Sequence, residues 1–317
     1  MKNITIIGSG SFGCALAYSL SKNDENNIKI WSFKSEEADL INKEHKSVYL
    51  KNLVLDEKIK CYTNYEEALN GSDYIILVSP SKVIRQTCKD IKEYITNQEI
   101  IIASKGLENN TNKILSDIVK EELPNNNISV ISGPSHAEQI IKNIPTIVEY
   151  SGNKDIKNIL ETDTFKLRYT DDMIGMQVGA ALKNVISIAS GIVEGFGYET
   201  NTLAYVITEG LDEIKQIGTM MGAKESTFYN LSGLGDLLTT SLGDNSRNKK
   251  SGILLSQGKT KEEIQNEIGM VIEGFDNINT AYELMNKYNL DLNLIKNLYK
   301  LLNNEIKVNE FLNNIIK

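Results

Sequence analysis

Residues 2–23, KNITIIGSGSFGCALAYSLSKN, decide how the first half of the chain is read. Residues 2–7 form a short apolar run suited to a buried strand, and 12–22 continue as a helix. Between them Gly8, Gly10 and Gly13 make G-x-G-x-x-G. In a strand–turn–helix each glycine answers a separate need. Gly8 allows the tight turn, Gly10 lets a pyrophosphate approach the backbone, and Gly13 lets helix and strand pack closely. The helix N-terminus then offers its N–H groups to phosphate, with Ser11 and Phe12 in its first turn. The motif alone is a weak signal, and its setting between strand and helix makes it a candidate dinucleotide site. A glycine-rich turn without ligand is the competing reading.

The second strand falls at 28–32, IKIWS. NAD-binding units often place Asp or Glu at its end, about 20 residues past the glycines, to hold the ribose hydroxyls. Here Ser32, Phe33 and Lys34 stand instead, with Glu36 and Glu37 just beyond. Lys34 reads equally as a partner for a 2′-phosphate or as a solvated loop lysine, so both NAD and NADP are permitted. Apolar runs then alternate with polar amphipathic segments. Strands are expected at 58–62, 74–79, 99–104, 129–132, 146–150 and 166–170, and helices at 65–70, 81–95, 111–122, 135–142 and 155–161. That alternation predicts an α/β Rossmann-like, mostly parallel sheet. It stops after Asp171 and Asp172, and the remainder is helical in pattern. The expected division is a dinucleotide-binding domain at 1–172 and an all-helical, substrate-binding C-terminal domain at 173–317. Ligands of such sheets sit beyond the carboxyl ends of the strands. Those ends carry GSGSFG, SPSK, SKGLE and SGPSHA.

The net charge of −8 argues against broad nucleic-acid or anionic-membrane binding, while leaving room for a local basic pocket. Cys14, Cys61 and Cys88 form no CxxC, which suits a reducing compartment. Two histidines, His45 and His136, are too few for a His-rich metal site, and no metal is expected. The chain runs from Met1 straight into a strand without a long apolar segment, so a cytoplasmic location is expected.

Residues 174–193, IGMQVGAALKNVISIASGIV, hold a single charge, Lys183. No proline interrupts the run, which reads as one long helix. Its length would span a membrane at roughly 20 residues, but Gln177, Lys183, Asn184, Ser187 and Ser190 make it too polar. Burying the ammonium of Lys183 lowers its pKa and makes it a usable acid near neutrality. The alternative is a lysine whose head snorkels to water. Gly175, Gly179, Ala180 and Ala181 would let neighbours approach, the nucleotide domain among them. Lys105 follows the 99–104 strand and would point into a cleft. In SGPSHA, residues 132–137, Ser135 either meets a ligand or caps the next helix. His136 is read either as a general acid or as pointing elsewhere. In the helical region, Ser246, Arg247, Asn248, Lys249 and Lys250 form a local basic loop, read as an anion site or as a solvated run. Asp236 follows a glycine-rich turn, and Val271 and Glu273 precede a helix. The end of the chain, 290–316, is amphipathic and suits packing or dimer contacts.

Together these motifs resemble the bacterial-type NAD(P)-dependent glycerol-3-phosphate dehydrogenases, from about residue 4 to residue 290. The resemblance rests on GSGSFG, PS at 80–81, SKGLE at 104–108, SGPSHA, GAALKNV at 179–185, SGLGDLLTT at 232–240, NSRN at 245–248 and VIEGFDN at 271–277, in the family's order and spacing. It implies NAD(P)H-dependent, reversible reduction of dihydroxyacetone phosphate to sn-glycerol 3-phosphate, which supplies glycerophospholipid synthesis, by a cytoplasmic homodimer.

Carried over residue by residue, the resemblance makes Lys183 the catalytic lysine, with Lys105 and Asp236 beside it. Gly8, Gly10, Ser11, Phe12, Gly13, Phe33, Lys105, Ala137, Arg247, Val271 and Glu273 would meet the cofactor. Lys105, Gly133, Ser135, Lys183, Asp236, Ser246, Arg247 and Asn248 would meet the substrate. Three positions depart from the family pattern. His136 stands where a bulky apolar residue is common, and Glu209 and Asp276 stand where arginine is usual. Two rival functions share these features. One is a dehydrogenase of the same architecture acting on a hydroxy acid or sugar nucleotide. The other is a nucleotide-binding sensor that has lost catalysis.

Overall fold

A computed structural model describes residues 1–316. The chain forms two compact units, Met1–Ser104 with Leu115–Met173, and Lys105–Ile114 with the chain from Ile174 onward. The first is built on an eight-stranded sheet. In chain order the strands are β1 (Lys2–Ile7), β2 (Asn26–Trp31), β3 (Lys60–Tyr62), β4 (Tyr74–Leu77), β5 (Glu99–Ile102), β6 (Ile128–Ser132), β7 (Thr146–Ser151) and β8 (Phe165–Tyr169). They lie side by side as β3-β2-β1-β4-β5-β6-β7-β8. The first six are mutually parallel, in the 3-2-1-4-5-6 order of a dinucleotide-binding fold. β7 runs antiparallel to β6 and parallel to β8. After their first residues, Tyr74 and Glu99, β4 and β5 are continuous apolar runs because strands covered on both faces need no polar alternation, and Ile75, Ile76 and Ile100–Ile102 are fully buried.

All eight strands stand where the apolar runs place them, with ends shifted by a residue or two. The helix expected at 81–95 is a helix Ile84–Ile91 between two short 3-10 turns, the one expected at 135–142 shortens to Ala137–Ile140, and two further helical segments differ. The helix Ser35–Glu44 was not anticipated. Its signal is nevertheless legible, with Glu36 and Glu37 in the first turn, Lys43 in the last, and Ala38 and Ile41 buried three residues apart. The helix expected at 111–122 begins only at Leu115. Before it, Asn110 (φ 71°) and Asn112 (φ 58°) take left-handed backbone, and Leu107 pairs with Ile114 across an antiparallel bridge. This small loop, Lys105–Ile114, packs with the helical unit rather than with the sheet, because Leu107 and Ile114 join the helical unit's apolar core. A sequence boundary at 172 therefore misses a ten-residue excursion.

The helical unit is organised around the 23-residue helix Met173–Gly195. Every residue from Gly175 to Val193 is buried. Its length and mean hydropathy of 1.3 would suffice for a membrane span, but the apolar window is wholly enclosed by the protein. Such enclosure needs close backbone approach. A Cβ on Gly191 would stand 2.0 Å from the Lys249 carbonyl oxygen, and one on Gly252 would stand 2.1 Å from that of Ile188. The two glycines thus let the helix Arg247–Ser256 cross the core helix backbone to backbone. Introducing a methyl at Gly191 must spread this seam. Gly191→Ala is expected to lower stability by about 2 kcal/mol or more, read from chemical denaturation. A neutral result would show that the seam opens freely.

Candidate active site

In the sheet unit, the glycine loop follows β1 as expected. Gly8 has φ +127°, and a Cβ on Gly13 would stand 2.0 Å from the Gly8 carbonyl oxygen. Loop and helix Ser11–Leu20 are therefore packed as closely as glycine permits. A Cβ on Gly10, by contrast, would meet nothing within 4 Å. No side chain caps this helix, whose N-cap is Gly10. An open cradle lies before uncapped N–H groups, which is what a pyrophosphate needs. These residues fit a dinucleotide. Phe12 packs partly buried on the sheet unit's core. Phe33 is 85% exposed just past β2, available to an adenosine.

Glu37 is the residue that strand-end reading missed. Ser32, Phe33 and Lys34 hold no acid, yet the helix after β2 turns the Glu37 carboxylate back onto the strand end. Glu37 Oε2 accepts from Ser9 Oγ at 2.5 Å and from Ser32 Oγ at 3.4 Å, and Oε1 accepts from Tyr49 OH at 2.6 Å. Lys34 Nζ stands 3.3 Å from Oε1.

At the end of β6, Gly133 adopts φ +148°, with Val148 Cα 3.0 Å from where a Cβ would be. Ser135 Oγ donates to the Gly133 carbonyl at 2.9 Å. It is not a helix cap, because the following short helix, Ala137–Ile140, begins after His136 without side-chain capping. Ala137 is buried and His136 half-buried. Ser132 Oγ, at the end of β6, is buried without a partner.

In the helical unit, three predicted residues come together. Lys183 Nζ donates to Asp236 Oδ1, and Lys105 Nζ donates to Asp236 Oδ2 at 2.8 Å. Lys183 also donates to Thr240 Oγ1 at 2.8 Å, and Thr240 in turn donates to the Asp236 carbonyl at 2.7 Å. Lys183 is 5% exposed and Asp236 is 1% exposed. Snorkelling is thus excluded for Lys183. Burial pushes its pKa down to about 7. The Asp236 charge and hydrogen bond resist that fall, and the neighbouring Lys105 ammonium adds to it. Thr240 lies within the quoted SGLGDLLTT but was not singled out. Its signal was spacing, since i and i+4 on a helix share a face with Asp236.

The turn before Asp236 explains how the carboxylate reaches this position. Leu231–Gly235 forms one π-helical turn, running straight into the helix Asp236–Leu242. Such turns are rare and often mark functional sites. Here the glycines make it possible. A Cβ on Gly233 would stand 2.3 Å from the Phe228 carbonyl oxygen, and one on Gly179 would stand 2.9 Å from that of Ser232. Gly179 is one turn before Lys183, so the approach that admits the π turn also brings Asp236 to the lysine. Gly179 was expected to serve packing against the nucleotide domain. Its close neighbour is this turn of its own unit.

The basic loop resolves into separate parts. Ser246 Oγ caps the helix Arg247–Ser256 by accepting from Lys249 N–H at 3.1 Å, and lies 3.2 Å from Ser187 Oγ. Arg247 stands exposed in the first turn, with Nη1 donating to the Val271 carbonyl at 2.9 Å. Asn248 is buried, its Nδ2 donating to Asn184 Oδ1 at 2.9 Å and its Oδ1 accepting from Gly274 N–H at 3.0 Å. That last bond satisfies a start-of-helix N–H in Glu273–Lys287, which carries no cap of its own. Lys249 is buried against Glu194 at 3.0 Å and is structural rather than solvated. Lys250 is exposed. Glu273 and Val271 are half-buried beside the same helix start. Of the departures, Glu209 is exposed, and Asp276 sits in the first turn of Glu273–Lys287, where an acid suits the helix dipole. Among the described residues, no group of three or more His, Cys, Asp or Glu is arranged to hold a metal.

Residues 3–157 match the family model described as NAD-dependent glycerol-3-phosphate dehydrogenase N-terminus, and residues 172–313 match that of the C-terminus. The chain is 44% identical over 306 residues to a glycerol-3-phosphate dehydrogenase [NAD(P)+] of Fusobacterium nucleatum, covering 93% of this chain and 91% of the relative. It is 40% identical over 309 residues to the protein of that name from Clostridium tetani, covering 95% and 88%. The crystal structure of glycerol-3-phosphate dehydrogenase from Coxiella burnetii superposes with a TM-score of 0.96 at 31% identity, covering 100% of this chain and 99% of that one. With both halves matched in order and near-full coverage of its relatives, the chain belongs to the NAD-dependent glycerol-3-phosphate dehydrogenase family.

Proposed function

We propose that this protein is an NAD(P)-dependent oxidoreductase that reduces dihydroxyacetone phosphate to sn-glycerol 3-phosphate, and runs the reverse reaction when the substrates demand it. The observation that carries this is the pairing of two lysine ammonium groups, one of them buried, on the single carboxylate of Asp236.

When bound, the nicotinamide supplies or accepts the hydride at the substrate carbon. This chain's residues handle the proton and the charge. Lys183, as ammonium, hydrogen-bonds the ketone oxygen and gives it a proton as negative charge develops there. A pKa near neutrality lets the same nitrogen return to ammonium after each turnover and take the proton back in the oxidative direction. Asp236 holds Lys183 charged against desolvation, and Thr240 fixes the direction of its N–H bonds. Lys105 adds a second positive charge beside the developing oxyanion. We assign substrate contacts to Gly133, Ser135, Ser246, Arg247 and Asn248. The planar fork of Arg247, exposed in a helix's first turn, suits the phosphate. We assign Gly8, Gly10, Ser11, Phe12, Gly13, Phe33, Ala137, Val271 and Glu273 to the cofactor. The open cradle at Gly10 supports the pyrophosphate part of this assignment.

The product is a phosphorylated glycerol, the backbone unit of glycerophospholipids. We place the protein in the cytoplasm, which its three free, buried cysteines suit. A homodimer is inferred from the family resemblance.

The direct test is NAD(P)H oxidation with dihydroxyacetone phosphate. Lys183→Ala should lower kcat by about 10²- to 10⁴-fold, with the cofactor dissociation constant little changed. Near-wild-type turnover by that variant would remove Lys183 from the chemistry. Arg247→Ala should raise KM for dihydroxyacetone phosphate by roughly tenfold or more, the scale of one charge-assisted hydrogen bond. An unchanged KM would exclude Arg247 from phosphate binding.

The pH dependence has a definite sign. Lys183 loses its proton as pH rises through about 7. The rate of reduction should therefore fall on that limb, and the rate of oxidation should rise. Asp236→Asn removes the anion that favours the ammonium, so the limb should move to lower pH. A limb that stays in place in this variant would show that another group sets it.

A further inference from the structure

We propose that Glu37, with Lys34 turned onto it, biases the cofactor site toward NADH and against NADPH. The proposal rests on the cofactor reading above and concerns the adenosine end of that site.

In a unit of this topology the adenosine ribose lies beyond the carboxyl end of β2. The residues there, Ser32, Phe33 and Lys34, include a cation and no acid, which taken alone favours a 2′-phosphate. The fold supplies the acid from the next helix. The Glu37 side chain is 10% exposed and its carboxylate is met from several sides, by Ser9 of the glycine loop, Ser32, Tyr49 and Lys34. Burial pushes its pKa up. The hydrogen bonds from Ser9, Tyr49 and Lys34 outweigh that and hold the carboxyl below the usual glutamate value, so it is ionised at neutral pH. The Lys34 ammonium is held above its ordinary value, chiefly by its hydrogen bond to Glu37.

A 2′-phosphate brought to this strand end meets a fixed negative charge in partly water-excluded surroundings, and juxtaposed like charges cost binding. Lys34 can reach such a phosphate, since its side chain is 59% exposed. To do so it must leave Glu37, and the carboxylate then loses its counter-charge while buried. NADH presents a neutral hydroxyl at the same place and requires no such exchange. Glu37 also grips Ser9, between Gly8 and Gly10, so the discriminating charge is tied to the loop that receives the pyrophosphate.

The test measures NADH and NADPH dissociation constants by nucleotide fluorescence on the full chain without substrate. The wild type should bind NADH roughly tenfold more tightly than NADPH, as expected for a like-charge clash at a partly exposed site. Glu37→Gln should shrink that ratio about tenfold through tighter NADPH binding, because it removes the repulsion and frees Lys34. Lys34→Met, a surface change that leaves the fold intact, should widen the ratio. The double variant Lys34→Met with Glu37→Gln should lose part of the NADPH gain. Equal affinities in the wild type, or a ratio unmoved by either single variant, would overturn the proposal while leaving the cofactor reading standing. Failure of both nucleotides to bind would overturn both.

Discussion

One carboxylate organises the buried charges of the helical unit. Asp236 receives Lys183 on one oxygen and Lys105 on the other, and without it two ammonium groups would face each other with little water to screen them. Burying a charge is costly unless it is paired and hydrogen-bonded. Lys183 is the one charge in the buried stretch Gly175–Val193 of its helix, so its burial is tolerable only beside Asp236 and Thr240. The balance between desolvation and the carboxylate leaves the ammonium near its titration point, which is where a proton donor in a reversible reaction works best.

That arrangement demands backbone geometry more than side-chain variety. Gly179 and Gly233 admit the π turn that delivers Asp236, and Gly191 and Gly252 admit the helix capped by Ser246 whose first turn carries Arg247 and Asn248. Asn248 then ties three segments together through Asn184 and Gly274. Lys105 belongs to the same packed body because its loop is anchored by Leu107 and Ile114 in the helical core. Lys183 and Asp236 are thus held by one core, in which the Lys105 loop is also anchored. The sheet unit contributes a separate piece, an uncapped helix start behind an open glycine cradle.

Much of this was legible in the amino-acid order. The central strands read well because they are short, Ile-rich apolar runs flanked by polar segments, whereas an edge strand such as Phe165–Tyr169 alternates buried and exposed residues. Lys183 stood out as a lone charge in a small-residue helix, but the pattern left a snorkelling lysine open, and only its burial on Asp236 closes that reading. What stayed hidden depends on where backbones bend back. Glu37 lies three residues past Lys34, and only the unrecognised helix Ser35–Glu44 returns it to the strand end. The onset of the 111–122 segment was misread because asparagines at positive φ interrupt what composition presents as helix. Thr240 and Asn184 escaped notice because their roles are to orient other groups, and hydroxyls and amides on buried helices carry no distinctive pattern. Lys249 read as part of a basic loop, either an anion site or a solvated run, and the close backbone approach at Gly191 and Gly252 draws it inside.

Lys183, buried on Asp236, is expected to exchange its proton near neutrality. The most direct measurement is the titration of lysine Cε resonances in protein labelled with carbon-13 lysine, with Lys183 assigned by its loss in Lys183→Ala. One resonance should titrate near pH 7 and vanish in that variant. Lysine resonances that all titrate above pH 9.5, with the one lost in Lys183→Ala among them, would show that Lys183 stays an ammonium throughout the neutral range.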